Sequence, residues 1–578
     1  MGLGSAINLI KKGAARGREL GFRTALAYGV RRVHDSPKRM EQAVFQAYSP
    51  ADLDRQREHA FPREIKFSIL VPLYHTPIPF LEEMIQSVQA QTYSNWELCL
   101  ADGSDSSHPE VEDCALRYAQ NDDRIRYQKL EKNEGISGNS NACLAMATGD
   151  YIGLLDHDDL LHPAALCEVM NTICQTQAEF IYTDEATFQS PNVKDIVSIH
   201  FKPDYAPDQL KANNYICHFS VFSRALLEDG QLFRREYDGS QDHDLILRLT
   251  KRANRVVHIP RVLYLWRSHP QSVAMNLGAK SYAVTAGIRA VEAAAAADGY
   301  PAKAASIPAS GSVYRLSYAL ASEPLVSVII PQCKQGTDTV AAAKYLLAHT
   351  DYPNVEILLV GNCGDTDVPG VSQIPQKITS YGEGCRIGAE QATGAYLLFF
   401  DSSLQPKDAA WLTELMMYAQ RSDVGAVGAI QTSKKKLCHT GYVLGFDQND
   451  IVGCPYQGYP QNFGGYMHCL SYARNVSAVS GACLLLKKAD YAKVGGVDPQ
   501  LDRGLWDVDL CLSLGKQGMY QVWTPCAVVD RLKQERNTAI HKEKVYFLQK
   551  WQKVVAQGDP YYNPNFSHRW GGFLIEKK

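Results

Sequence analysis

Three carboxylates directly follow an apolar, strand-like run in the first half of this 578-residue chain. The run Gly149–Leu155 leads into Asp156, and Asp158 and Asp159 follow almost at once. Carboxylates this close repel one another, so such a group is usually kept where a cation lies among its members. Hard oxygen ligands suit Mg²⁺ or Mn²⁺, which also bridge to the phosphates of a substrate. The alternative is a turn in which Asp159 caps a helix beginning at Leu160, but it leaves two aspartates without a role. The residues therefore favour a divalent-cation site.

A second acidic pair, Asp242 and Asp244, precedes apolar residues that look like the core face of a helix. Either aspartate could cap that helix, but two separated by one residue seldom share the role. A carboxylate within hydrogen-bond reach of a hydroxyl can accept its proton during attack, which is worth roughly 10²–10⁴ in rate. Further along, Arg267 and His269 follow a short strand-like segment, Val256–Ile259. A lone histidine is more often a surface or satisfied core residue than a ligand, so these two residues alone decide nothing.

The elements that must position these residues occur twice along the chain. Lys66–Pro72 and Leu325–Pro331 are matching strand-like segments, and their prolines are 259 positions apart. In each copy such runs alternate with helical patterns, which predicts βαβ units and a mainly parallel sheet. Ligands bind such sheets at the carboxyl ends of the strands, where Pro72, Asp102 and Asp156 should converge. Three further landmarks recur in the same order: Tyr93–Glu97 with Tyr352–Glu356, Gly149–Asp156 with Gly394–Asp401, and Asp242–Leu249 with Asp507–Leu514.

The repeat predicts an α/β protein with two tandem Rossmann-like domains and mainly parallel sheets. We place a basic helical extension at 1–62, the catalytic domain at 63–300, a linker at 301–323 and the second domain at 324–578. Within the linker, Val313–Leu320 is an alternative edge strand. The second copy reads Asp401-Ser402-Ser403-Leu404 where the first has its acidic group, and hydroxyls are poor ligands for a hard divalent ion. It is therefore predicted to be degenerate, and to support the fold, the acceptor or a dimer.

Composition narrows the classes of function. A formal net charge of −3 gives the chain no overall attraction to nucleic acid. Fifteen cysteines are scattered singly, without a C-x-x-C pair, which predicts free thiols in a reducing cytoplasm. No signal-peptide pattern is evident at the start. Residues 1–40 are strongly basic, and two interpretations stay open: an amphipathic helix on an anionic membrane surface, or a solvated helix packed on the first domain.

The first copy resembles the family 2 glycosyltransferases, which have the GT-A nucleotide-sugar fold. Five segments carry the resemblance: Ile69–Tyr74, Ala101–Ser104, Asn139–Asn141, Leu155–Asp159 and Gly239–Leu245. The second copy resembles a partner domain of bacterial surface-polysaccharide enzymes. It does so through Gly425–Gly428, His439–Gly441, Val479–Cys483 and Gly495–Asp498.

The resemblance implies a role for each candidate residue. Ala101 and Ser140 depart from the family pattern, which often has a second acid and an arginine there. Lys202–Asp204 and Asn213–Asn214 lie where an acceptor loop is expected. The implied substrate-binding residues are Pro72, Tyr74, Asp102, Asn141, Asp156 and Arg267, the metal ligands are Asp156, Asp158 and His269, and the catalytic base is Asp242.

The implied function is inverting transfer, assisted by Mn²⁺ or Mg²⁺, from a UDP- or dTDP-linked sugar to a lipid-linked surface glycan. An O-antigen, a capsule or a rhamnose-rich polymer would be such a glycan. The expected location is the cytoplasm, at the inner face of the plasma membrane, and a homodimer is one assembly left open. Two alternatives remain: a bifunctional polymerase in which both copies transfer, and a non-catalytic glycan-binding scaffold built from retired domains.

Overall fold

The computed structural model of the chain describes residues 35–227, 232–269, 280–307, 310–332, 338–363, 367–446, 451–532, 539–568 and 573–576. Residues 1–34, which hold most of the predicted basic segment, lie outside the described residues. The helices of the first half are α1 (Pro37–Phe45), α2 (Pro50–Glu58), α3 (Ile78–Gln89), α4 (Pro109–Asn121), α5 (Gly135–Met146), α6 (Ala165–Thr176), α7 (Pro207–Ala212), α8 (Gln241–Arg252) and α9 (Lys280–Ala297). Its strands are β1 (Phe67–Leu73), β2 (Trp96–Asp102), β3 (Ile125–Lys129), β4 (Tyr151–Leu154), β5 (Leu160–Leu161), β6 (Phe180–Gln189), β7 (Ile196–His200), β8 (Ser220–Ser223), β9 (Val256–Ser268), β10 (Ala302–Ile307) and β11 (Ser310–Tyr318).

The second half has its own alternation of strands and helices. Its strands are β12 (Val326–Pro331), β13 (Val355–Val360), β14 (Val371–Ile374), β15 (Tyr396–Phe400), β16 (Leu404–Pro406), β17 (Val424–Ser433), β18 (Lys436–His439), β19 (Val443–Leu444), β20 (Val452–Gly453), β21 (Arg474–Val476), β22 (Cys483–Lys487) and β23 (Tyr520–Arg531). Its helices are α10 (Thr339–Ala348), α11 (Tyr381–Gln391), α12 (Trp411–Ala419), α13 (Lys488–Lys493), α14 (Trp506–Gly515) and α15 (His541–Gln557).

Both halves contain one large sheet with the same strand order. The first sheet runs β3-β2-β1-β4-β8-β6-β9-β5, and the second runs β14-β13-β12-β15-β22-β17-β23-β16. In each sheet the first four strands are parallel and the fifth is antiparallel to its neighbours. The two sheets confirm the prediction of an α/β fold with tandem, mainly parallel domains.

The repeat extends to strand register and to a buried polar contact. Phe67 pairs with Trp96 in the first sheet, and Val326 pairs with Val355 in the second, so both partners are displaced by the same 259 positions. Gly149 donates its backbone N–H to the Ser68 hydroxyl at 2.8 Å. Its counterpart in the second half makes the same bond at the same distance. A Cβ at Gly149 would lie 2.6 Å from that hydroxyl, so only glycine fits there.

The segment predicted as a linker contains an antiparallel hairpin, β10 with β11. Tyr314, Leu316 and Tyr318 of β11 are buried, and Val313 forms a bridge to Asn213 of the first domain. Alternate residues of β11 therefore face packed protein, which explains why Val313–Leu320 has a strand-like pattern.

Two further observations concern the chain as a whole. Every cysteine in the described residues is free, and most are buried. Within the same residues, no helix combines the length and the apolar composition that a membrane crossing requires.

Candidate active site

The three clustered aspartates lie between β4 and β5, at the carboxyl end of the parallel part of the first sheet. Asp159 does not cap a helix, because β5 follows it and α6 begins only at Ala165. Its carboxylate is buried and accepts hydrogen bonds from the Tyr264 hydroxyl at 2.6 Å and the Arg267 backbone N–H at 2.7 Å. The capping alternative is therefore wrong, since Asp159 ties the acidic loop to β9 instead.

Asp156 belongs to a group with Asp159 and His218 whose potential ligand atoms all lie within 4.8 Å of one another. Asp156 Oδ2 is 3.5 Å from His218 Nε2, and its side chain is about half exposed. Burial, with repulsion from Asp158 and Asp156, raises the pKa of Asp159 well above its usual value. Repulsion among the three carboxylates therefore favours a proton on Asp159 or a cation beside it.

His218 is held from behind by a buried ionic network. Its ring stacks on Tyr264 with 4.5 Å between centroids, and its Nδ1 lies 3.4 Å from Glu185 Oε2. Lys202 Nζ donates to Glu185 Oε2 at 3.0 Å, to the Ile216 carbonyl at 2.6 Å and also to the His218 carbonyl. Burial alone would lower the pKa of His218, but Cys217, Asp156 and Glu185 outweigh it and raise that pKa. The network fixes the position of the imidazole beside Asp156.

Asp158 and His269 form a separate pair in the same loop region. Asp158 Oδ2 lies 2.9 Å from His269 Nε2, and both side chains are largely buried. The predicted metal set of Asp156, Asp158 and His269 is therefore split: Asp158 and His269 contact each other, whereas Asp156 contacts His218.

Arg267 is buried between two aromatic rings, and its guanidinium bonds to Glu83 Oε2 at 2.6 Å. Its Nε also donates to the Asp158 carbonyl. Through these contacts Arg267 holds the acidic loop in place. They leave the predicted role of Arg267 in substrate binding a prediction.

Asp242 lies in the first turn of α8 and is partly exposed. Its Oδ2 accepts a hydrogen bond from Asn214 Nδ2 at 2.8 Å and lies 3.6 Å from the Cys217 sulfur. That sulfur is in turn 3.5 Å from His218 Nε2. Three short contacts thus connect Asp242 with Asp156, so the predicted base and the predicted cation loop share one site. By contrast, Asp244 is paired with Arg234 and Arg248 and faces away from it.

The predicted nucleotide-binding residues lie at the ends of β1 and β2. Leu73 and Asp102 are register partners there, and Pro72 is buried in β1. Asp102 is fully buried and bonds to Lys129 Nζ at 2.8 Å and the Tyr127 hydroxyl at 3.0 Å. Tyr74, in contrast, is exposed and stacks on His75, which stacks in turn on His108. The exposed surface at the ends of β1 and β2 therefore carries a stack of aromatic rings.

Asn141 is tied into the scaffold rather than exposed to the site. Its amide nitrogen donates to the Phe233 carbonyl at 2.9 Å, and its amide oxygen accepts from the Phe233 N–H at 2.9 Å. Both hydrogen-bonding groups of the side chain are therefore used to hold the loop before α8.

The equivalent site of the second half is organised around an arginine. Arg531 Nη1 lies 3.3 Å from Asp401 Oδ2 and 3.1 Å from the Ser403 hydroxyl, and its Nη2 donates to Gln431 Oε1 at 2.9 Å. Beside it, Trp506 is buried so closely against Gly481 that a Cβ there would lie 2.2 Å from the indole. A guanidinium thus balances the single remaining aspartate.

Sequence reasoning missed His218, Cys217 and Glu185, and it placed Lys202 only in an expected acceptor loop. The segment around Asn214 was recognised only as an expected acceptor loop. His218 is 62 positions beyond Asp156 and carries no motif, so only the antiparallel pairing of β8 with β4 brings it to the acidic loop.

Parts of the chain are similar to known proteins. Residues 68–230 match the model of glycosyl transferase family 2. The chain is 34% identical over 539 residues to the uncharacterized protein y4gI of Sinorhizobium fredii, covering 88% of this chain and 58% of that protein. It is 30% identical over 526 residues to the O-antigen biosynthesis protein RfbC of Myxococcus xanthus, covering 86% of this chain and 40% of that one. The chain thus spans roughly half the length of these two relatives.

Among solved structures, S. aureus TarS 1-349 in complex with UDP-GlcNAc aligns with 40% of this chain and 66% of its own. The sequence identity is 17% and the TM-score is 0.34. The family match covers β1 through β8, which include the acidic loop and His218. The region of this chain from β1 to β8 is therefore similar to glycosyl transferase family 2.

Proposed function

We propose that the chain transfers a sugar from a nucleoside-diphosphate sugar, UDP- or dTDP-linked, to a hydroxyl of a cell-surface glycan. The observation that carries the proposal is the contact series from Asp242 through Cys217 and His218 to Asp156. It joins a carboxylate that can accept a proton to a loop that can hold a cation. The similarity to a protein named for O-antigen biosynthesis supports a surface glycan as the acceptor.

The donor atoms of the acidic loop fit a divalent cation. Asp156, Asp159 and His218 would present oxygen and imidazole ligands, and His218, whose pKa is raised, would release a proton when the ion binds. His157 Nδ1, in the same loop, is buried without a hydrogen-bond partner among the described residues. These residues, with Asp158 alongside, would hold Mn²⁺ or Mg²⁺. When bound, the ion would neutralise negative charge on the departing nucleoside diphosphate.

Asp242 is the proposed general base. Asn214 donates to its Oδ2, which fixes the carboxylate and leaves Oδ1 to accept the proton of the attacking hydroxyl. A base on one side of the sugar and a leaving group on the other give inversion at the sugar carbon. A lipid-linked acceptor at the inner membrane face is the finer form of the same proposal.

The test is nucleotide release by the purified chain with Mn²⁺, a panel of UDP- and dTDP-sugars, and glycan acceptors. We expect one donor to be turned over, and Asp158→Ala and Asp242→Asn to abolish transfer. Asp123→Asn is the matched control, because Asp123 is exposed at the opposite end of the sheet, just before β3. Glycan binding without turnover of any donor would favour the non-catalytic scaffold instead. Transfer that survives Asp158→Ala would show that the second half is active.

A further inference from the structure

Buried polar contacts join the two halves of the chain directly behind the candidate site. Asp208 on α7 is 4% exposed, and its partners Arg421 and Asn475 in the second half are 2% and 0% exposed. A second contact of this kind is made by Asn563, which is 3% exposed. Polar groups buried this deeply cost free energy unless they are paired, so the contacts are specific.

The first contact holds α7 in place, and α7 with the segment after it contacts the residues around the proposed base, Asp242. Asn475 Nδ2 donates to Asp208 Oδ2 at 2.9 Å, and the Asp208 backbone N–H donates to Asn475 Oδ1 at 2.9 Å. At the other end of α7, the Leu210 carbonyl lies 2.7 Å from His243 Nε2, next to Asp242 in sequence. The same segment then reaches Asp242 itself through Asn214. A shift of α7 would therefore displace both partners that set the position of the base.

The second contact supports the histidine beside the acidic loop. Asn563 Nδ2 lies 3.1 Å from both oxygens of Asp184 and 2.8 Å from the Lys202 carbonyl. Asp184 also accepts the Lys202 backbone N–H at 2.8 Å. Lys202 in turn holds Glu185 and the carbonyl of His218. Asn563 of the second half is thus linked to Asp156 by a series of contacts through Asp184, Lys202 and His218.

We infer that Asn475 and Asn563 of the second half are positioning residues for the sugar-transfer site of the first. The inference rests on the proposed function of that site. Hydrogen bonds to a buried carboxylate are stronger than neutral ones, and removing Asn563 takes one donor from Asp184, whose Oδ1 keeps the Lys202 backbone N–H and the contact with His258 Nε2 at 2.9 Å. Asp184 would then compete for Lys202, and the hold on Glu185 and His218 would loosen. The second domain completes the catalytic domain instead of acting as a separable unit.

The experiment measures binding of Mn²⁺ alone to the full chain by electron paramagnetic resonance, with no donor present. Asn563→Ala should weaken Mn²⁺ binding about ten-fold, because loss of an outer partner typically costs 10–100-fold in metal affinity. Asn563→Ser keeps one donor and should recover part of the loss, which also covers the case in which the alanine variant does not fold. Tyr300→Phe is the matched control: it removes two hydrogen bonds between the halves, from the Ser422 N–H at 2.9 Å and to the Ser422 hydroxyl at 3.3 Å, and neither involves Asp184 or Lys202.

A folded Asn563→Ala variant with wild-type affinity would overturn the inference, and so would an equal loss in Tyr300→Phe. A wild-type chain that binds no Mn²⁺ would refute the proposed metal site and, with it, the role inferred for Asn563. The Asn475 contact is tested in a separate kinetic assay, with the nucleotide-sugar donor that the nucleotide-release screen identifies. Asn475→Ala should lower kcat about ten-fold at unchanged donor KM and unchanged Mn²⁺ affinity, because its path leads to the base and not to the acidic loop. If donor KM rose while kcat fell, the inference that Asn475 acts through the base would be contradicted.

Discussion

Replacing Asp208 by Asn should destabilise the chain far more than the same change at Asp423, although both aspartates bind Arg421. Asp208 and Arg421 each have side chains 2% exposed, whereas the side chain of Asp423 is 42% exposed. Losing one partner of a buried pair costs about 3–5 kcal/mol, but an exposed pair contributes about 0–1 kcal/mol. Asp208 also accepts a bond from Asn475, so an amide nitrogen at this position would face donors on two sides. We expect about 3 kcal/mol for Asp208→Asn, since Asp423 still balances Arg421, and less than about 1 kcal/mol for Asp423→Asn.

Thermal unfolding monitored by tryptophan fluorescence measures the difference. At about 2 °C per kcal/mol for a large domain, Asp208→Asn should lower the midpoint by about 6 °C and Asp423→Asn by less than about 2 °C. Because the two substitutions change charge identically, net charge cannot account for a difference between them. Equal shifts in the two variants would refute the claim that burial between the halves makes the Asp208 contact strong.

Three other predictions concern the two sites. His218→Ala should weaken Mn²⁺ binding more than His269→Ala in a direct titration, since His218 contacts Asp156 and His269 does not; the reverse order would restore the ligand set predicted from sequence. Asp401→Asn in the second half should leave sugar transfer within about two-fold of wild type, whereas Asp156→Asn should abolish it in the nucleotide-release assay. Burial raises the pKa of the Asp507 carboxyl from 3.8 to about 6. Between pH 4 and 6 the folded state therefore keeps a proton on Asp507 that the unfolded state has lost. The free energy of unfolding falls as pH rises through that window, by at most about 3 kcal/mol. Asp507→Asn should remove that loss and raise the melting midpoint relative to wild type at pH 7.5 but not at pH 3.5.

The fold could be predicted because its signals are local and occur twice. A strand ending at Pro72 recurs at Pro331, and the alternation between strands and helices decides the class of sheet without any long-range information. The structure keeps the same 259-residue displacement in the pairing of β1 with β2 and of β12 with β13. Such agreement between local pattern and global pairing is what a duplicated domain should show.

The site could be predicted only in part, because a residue type does not reveal which partner satisfies it. Asp102 and Asn141 are predicted to bind substrate, and that role stays a prediction. In the structure Asp102 is neutralised by Lys129, 27 positions away, and Asn141 bonds to Phe233, 92 positions away. His218 shows the opposite case, since nothing in its local sequence marks it and β8 alone brings it to Asp156. These pairings depend on strand order, which a single sequence does not specify.

The second half has lost acidic residues at the equivalent site but keeps buried polar side chains where it meets the first half. At the equivalent site, the Arg531 guanidinium contacts both Asp401 and Ser403. A guanidinium fixed there repels a divalent cation, because both are positively charged. At the interface, Asn475 and Asn563 remain buried, although an apolar residue would avoid the cost of dehydrating an amide. A surface that only held two domains together could be apolar throughout. Amides aimed at Asp208 and Asp184 instead fix α7 and Lys202 in one orientation, because hydrogen bonds have a direction and apolar contacts do not. Orientation is what a base and a cation loop on different elements require, so the polar interface fits a second half that serves the chemistry of the first.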